Sequence, residues 1–202
     1  MGKNKIDCYL SYLPKDGDYV TNPILMYSSW TSVDENINLI KENDPRTTIH
    51  NQIVFNQING MAMMLNKRLV SLWKYSNIGV HDSYVALLAF ATGKVIYIPK
   101  STILWRRQTQ SESLNNYGRG YGLGAFWKMI NTSFDRTEDI ITNYQELIMP
   151  EMFNYYIHFI QLRDSRFINR FKLLLTLKLR RNSIIETIAM NILLLTNLGR
   201  IQ

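Results

Sequence analysis

One cysteine, Cys8, is all the sulfhydryl chemistry this chain has, so no internal disulfide can form. A reducing cytoplasm is therefore the expected compartment. Nowhere do about 18 uncharged apolar residues run together, which excludes an obvious membrane-spanning helix. The opening M-G-K-N-K-I-D-C-Y-L lacks the uninterrupted apolar stretch of a signal peptide. No internal repeat is visible, and neither G-x-x-x-x-G-K-[ST] nor G-x-G-x-x-G occurs, so a complete nucleotide-binding α/β domain is not expected. Between Ser165 and Ile185 there is no acid at all.

What is present is the material of a globular domain. The 202 residues are 46% hydrophobic and 12% aromatic, enough for a sizeable core and too apolar for a disordered chain. The net charge of +7 is uneven. Residues 1–100 carry 10 Lys/Arg against 8 Asp/Glu, and residues 101–202 carry 13 against 8. An anionic partner at the C-terminal end is the expectation.

Along the chain, Lys3 to Leu13 reads as a short helix closed by turn residues at Pro14, Asp16 and Gly17. Ile24 to Tyr27 reads as a buried strand and Ser32 to Asn36 as a loop. Thr47 to Asn56 fits helix or strand. Met61 to Leu65 reads as a strand, with Gly60 at a close backbone approach, and Lys67 to Tyr75 as a helix. The stretch Val80 to Gln108 carries the clearest signals. Tyr84, Leu87, Leu88 and Ala91 recur at helical spacing behind Asp82, placed as an N-cap, and Gly93 ends the helix in a left-handed turn. Val95 to Ile98 reads as a strand stopped by Pro99, and Thr102 to Trp105 as a second. A polar segment, Thr109 to Asn116, comes next, and then glycines at 118, 120, 122 and 124, suited to a mobile lid. Beyond Phe126 the pattern is helical with an interruption from Phe134 to Asp139. Met149 to Gln161 and Arg166 to Leu198 read as helices, the second broken near Asn182-Ser183.

Three constellations carry possible chemistry. Asp82, beside His81 at a helix start, can cap the helix or serve as a general base. Asp16-Gly17-Asp18 has the spacing of carboxylates that hold Mg²⁺ or Mn²⁺, although both residue types are ordinary in turns. Arg166, Arg170, Lys172, Lys178, Arg180 and Arg181 interleave with Phe167, Phe171 and leucines. Such a basic apolar segment suits an anionic membrane surface, or else a packed helix with a solvated basic face. No groove-reading motif accompanies it, so nucleic acid is not an expected partner.

Several segments, in order, resemble family 2 glycosyltransferases, particularly the rhamnosyltransferase-like bacterial members. Tyr27 to Asn36 is similar to a strand ending in V-D-E-N. Asn56 to Met64 resembles an N-x-x-x-G strand. His81 to Ile98 looks like H-D-x-x-x-x-L-x-A-x-x-G-x-I-x-Y-I, and Ile103 to Gln108 is similar to I-L-Y-R-Q-H. The resemblance covers residues 3–110 well and the remainder loosely. It implies a partial GT-A (nucleotide-diphospho-sugar transferase-like) core over residues 1–125, α/β in class. A helical, basic region over 126–202 would work at the inner face of the plasma membrane.

The implied activity is inverting transfer of a sugar, rhamnose for instance, from a nucleotide-sugar donor to a cell-surface polysaccharide or lipid-linked acceptor. Asp82 matches the general base. His81, Asn59, Gly60, Trp105, Arg106 and Gln108 match substrate-binding positions, with Gln108 where many members carry histidine. Mg²⁺ or Mn²⁺ is expected for an intact family enzyme, held by a D-x-D-D-x-W motif that this sequence does not contain. Asn4-Lys5-Ile6 is similar to the family segment just C-terminal to that motif. On this basis about 90–100 residues of donor-binding half are expected to be missing, and the chain alone is expected not to transfer sugar. The alternative is a non-catalytic membrane-surface or interaction protein that keeps a glycosyltransferase-like core.

Overall fold

The computed structural model describes residues 2–15, 17–74, 78–107 and 122–200. Its helices are α1 (Gly2–Ser11), α2 (Asp18–Thr21), α3 (Ile49–Gln52), α4 (Lys67–Leu72) and α5 (His81–Thr92), and then α6 (Leu123–Tyr144), α7 (Pro150–Gln161), α8 (Phe167–Leu177) and α9 (Ile184–Thr196). The strands are β1 (Ile24–Val33), β2 (Leu39–Asn43), β3 (Met63–Leu65) and β4 (Lys94–Arg106).

The sheet is mixed and built on β1. Along one edge β1 pairs antiparallel with β3 through Leu25 to Tyr27, then with β2 through Trp30 to Val33. Along the other edge it pairs parallel with β4 over its whole length. The first half of β1, I-L-M-Y, is buried on both faces, as its unbroken apolar run requires. One face packs on α1, where Tyr9, Ile24, Met26 and Ile98 form a small cluster. The other face packs on α5. That helix is buried nearly all round, from Ser83 to Ala89 and at Ala91, as expected for a helix lying between a sheet and a second helical layer. Tyr156 of α7 donates to the carbonyl of Leu87 at 2.7 Å, and Met149 N–H to that of Ala91 at 2.9 Å. Residues 126–200 thus share the main core with α5 rather than enclosing one of their own.

Four sequence expectations are corrected. Pro99 does not end a strand: β4 runs through it. Ser28 pairs with Ile98 and Ser29 with Ser101, so Pro99 and Lys100 bulge out of the ladder. A residue without an N–H is tolerated at such a bulge. Gly93 is not left-handed; its φ is −166°. Glycine is required there because a Cβ would lie 2.0 Å from the carbonyl oxygen of Pro23.

The interruption expected at Phe134 to Asp139 does not exist, since α6 is continuous. Its polar residues are absorbed individually. Thr137 Oγ1 donates to the Ser133 carbonyl at 2.8 Å, while Asp135 and Glu138 both meet Arg163, at 2.8 and 2.9 Å. Lastly, β1 continues to Val33, where a loop was expected to begin at Ser32. The turn after it is organised by Asp34, whose carboxylate accepts from Asn36 and Asn38.

Candidate functional site

Asp82 is not the cap expected of it: it is the second residue of α5, two positions inside the cap. Val80 is the cap and contributes no side-chain bond, because the backbone turns helical at His81. The carboxylate is half-buried and meets three N–H donors. Asn56 Nδ2 donates to Oδ1 at 3.0 Å, the backbone N–H of Ser83 to Oδ1 at 2.7 Å, and the backbone N–H of Gly60 to Oδ2 at 3.1 Å. Three such bonds leave the group little freedom to rotate.

Each donor is itself held. Gln52, fully buried at the end of α3, donates Nε2 to Asn56 Oδ1 at 2.6 Å and accepts from the Gln57 N–H at 3.0 Å. A buried amide committed at both ends fixes the Asn56 side chain, and through it Asp82. Gly60 opens a 3₁₀ turn, Gly60–Ala62, whose cap is Asn59: its Oδ1 accepts from the Met61 N–H at 3.2 Å. From α1, Lys5 Nζ donates to the Met61 carbonyl at 3.0 Å and Tyr9 Oη to that of Ala62 at 2.7 Å. A Cβ on Gly60 would lie 3.4 Å from Asp82 Cβ, an ordinary van der Waals contact, so the two residues sit side by side. On the core side, buried Arg136 donates to Ser83 Oγ at 2.6 Å and ties down the first turn of α5.

The sequence-proposed residues fall into three groups. Asn59, Gly60 and Asp82 form one constellation, with exposed His81 at its rim, its ring edge-on to Trp73 at 6.3 Å. Trp105 and Arg106 stand apart from it. They close β4, which is 13 residues long against 12 for α5. At about 3.3 Å per strand residue and 1.5 Å per helical residue, the strand runs well past the start of the helix. Thr102, which meets Ser28 at 2.6 Å, is about 13 Å short of Arg106 by the same rise. No hydrogen bond or ion pair among the described residues joins Arg106 to Asp82; Arg106 is exposed, and the Trp105 ring stacks instead under Arg107 at 5.0 Å. Gln108, the segment Thr109 to Asn116 and the glycines at 118 and 120 lie outside the described residues, as do Asp16 and the side chain of Asp18.

The third group is the basic set. Arg166, Lys172, Lys178 and Arg180 are exposed. Arg170 and Arg181 are corrected, because neither faces outward. Arg170 is buried, its Nε on the Leu162 carbonyl at 3.2 Å, and burial draws its guanidinium pKa downward. Arg181 lies over the Phe55 ring at 4.1 Å and reaches Glu186 at 3.5 Å.

Asn56 and Gln52 are the residues that sequence reasoning passed over. Asn56 is the first letter of the N-x-x-x-G segment, and Gln52 lies one helical turn before it, so spacing alone could have paired them.

The donors around Asp82 suit an anion and offer a cation no second ligand. Among the described residues no three His, Cys, Asp or Glu side chains gather elsewhere. A surface hollow of about 330 Å³ is lined by Trp127, Lys128, Asn131 and Asp135, and Asp82 is not among its lining residues. No family model, curated protein or solved structure matches the chain.

Proposed function

We propose that Asp82 is the general base of an inverting sugar transfer, with this chain supplying the acceptor side of a GT-A-like core. The observation that carries the reading is a convergence. Two segments singled out separately in the sequence, Asn56-x-x-x-Gly60 and His81-Asp82, meet on a single carboxylate.

In the step proposed, an acceptor hydroxyl oxygen attacks the anomeric carbon of the donor sugar. A new carbon–oxygen bond forms on one face as the bond to the diphosphate oxygen breaks on the other. The hydroxyl proton passes to Asp82, and the bonding pair leaves with the nucleoside diphosphate. Asn56, Gly60 and Ser83 hold the carboxylate in one orientation, which is what a positioned base requires. Arg106 remains in the proposal as a diphosphate contact, through bidentate hydrogen bonding and charge, separate from the proton-transfer step.

The test supplies the chain with a donor-binding half from a family 2 enzyme and monitors nucleoside diphosphate release and product configuration. Release that depends on this chain, with inverted product, is expected. Retained configuration, or release unaffected by exchanging this chain for an unrelated domain, would sink the reading.

A further inference from the structure

The two C-terminal helices repeat one pattern of exposure. In α8, Phe167, Ile168, Phe171 and Leu175 are exposed; in α9, Ile184, Ile185, Ile188 and Ile192 are. Both sets sit at i, i+1, i+4 and i+8, which at about 100° per residue covers an arc of about 100° on each helix. These eight side chains are 51% (Phe171) to 81% (Ile185) exposed. Each helix keeps a different side for the core, Arg170 and Leu177 in α8 and Met190 and Leu194 in α9, and the two helices pack on one another. Large apolar residues clustered at this exposure mark a surface that something covers.

The charge around them says what covers it. Lys172 borders the arc of α8, and the connection from α8 to α9 carries exposed Lys178 and Arg180 just before Ile184 and Ile185. No acid occurs from Ser165 to Ile185, and Glu186 is engaged by Arg181. A second copy of this face would bring cations against cations. An apolar face whose border from Ser165 to Ile185 carries exposed cations and no acid fits a surface that is oily inside and anionic at its headgroups. The helices are about 17 and 20 Å long, short of the roughly 30 Å a bilayer core demands, and among the described residues no helix is long and apolar enough to span one.

We infer that the outer faces of α8 and α9 dock on an anionic lipid surface, with the isoleucines and phenylalanines entering the headgroup boundary and Lys172, Lys178 and Arg180 meeting lipid phosphates. This surface is independent of the sugar-transfer reading and stands or falls without it. It also changes the membrane contact from the six basic residues expected in the sequence to the apolar arcs of the two helices with Lys172, Lys178 and Arg180 beside them.

The experiment is vesicle flotation of the full chain, on phosphatidylcholine vesicles with and without phosphatidylglycerol, at low and high salt. Binding to the anionic vesicles is expected to be at least about tenfold stronger and weakened by salt. Ile184→Ser with Ile185→Ser, and separately Lys172→Glu with Arg180→Glu, should each lower it by about tenfold or more with an unchanged thermal melt. Ile185→Ser alone, at the most exposed of these positions, serves if a double variant folds poorly. Absence of binding to anionic vesicles, or binding that none of these substitutions weakens, overturns the inference. So does self-association abolished by the isoleucine changes in the absence of vesicle binding, which would assign the face to a second copy.

Discussion

Asp82 shows how little of a side chain's chemistry is fixed by its own position. At the start of a helix it could have been a cap; instead its two oxygens are met by Asn56, Gly60 and Ser83. Gln52 is the residue behind this arrangement. Gln52→Ala is expected to free the Asn56 amide and lower transfer rate through kcat, and Gln52→Glu, which keeps the acceptor for Gln57 but loses the Nε2 donor to Asn56 Oδ1, is expected not to restore it; kinetics of the two variants check this. A different residue-scale prediction concerns pH. Burial pushes the Tyr27 phenol up to about 12, and burial, then the hydrogen bond to Asp139, raises Tyr84 further. The unfolded chain releases these protons near pH 10 while the folded one retains them. Stability is thus complete below about pH 10 and falls as pH rises toward 12. Thermal melts from pH 8 to 11.5 should show that decline, shallower in Tyr27→Phe; a flat profile would contradict it.

At the scale of elements, Gly93 at the α5–β4 junction is the glycine with least room for a Cβ among the described residues. Gly93→Ala would place a methyl on the Pro23 carbonyl and should cost at least about 2 kcal/mol. Gly124, near the start of α6, has open space around its Cβ position, so Gly124→Ala should gain up to about 1 kcal/mol. Chemical denaturation of the two variants compares them directly.

The sequence made α5 plain, because period and apolarity agreed over the whole helix. It misplaced what depended on partners. Pro99 looks like a stop until β1 is seen to supply a register shift opposite it. The polar run at 134–139 looks like a break until Arg163 is seen to take both acids. β2 went unread because four of its five residues are exposed and it shows no alternation. At the site, the motif order pointed to Asp82 and Gly60. The separation of Arg106 comes from the length of a strand that Pro99 had seemed to cut short.

Across the whole molecule, one core joins the sheet, α5 and the C-terminal helices, and the charge of the C-terminal region is sorted by it. Arg170 belongs to the core side: Arg170→Ala should lose about 2 kcal/mol by melt and leave vesicle binding unchanged, whereas Lys172→Glu should do the reverse. The fold thereby places a half-buried carboxylate at one surface and a basic, apolar face at another. The central claim is that the carboxylate takes a proton. It is tested most directly by the rate of sugar transfer in Asp82→Asn, with the chain supplied with a donor-binding half. The amide keeps the size of the side chain and one acceptor oxygen but cannot act as a base. The account predicts a rate lower by about 10² to 10⁴ with the thermal melt nearly preserved; a rate within a few fold of the parent, with normal folding, would return Asp82 to a purely structural role.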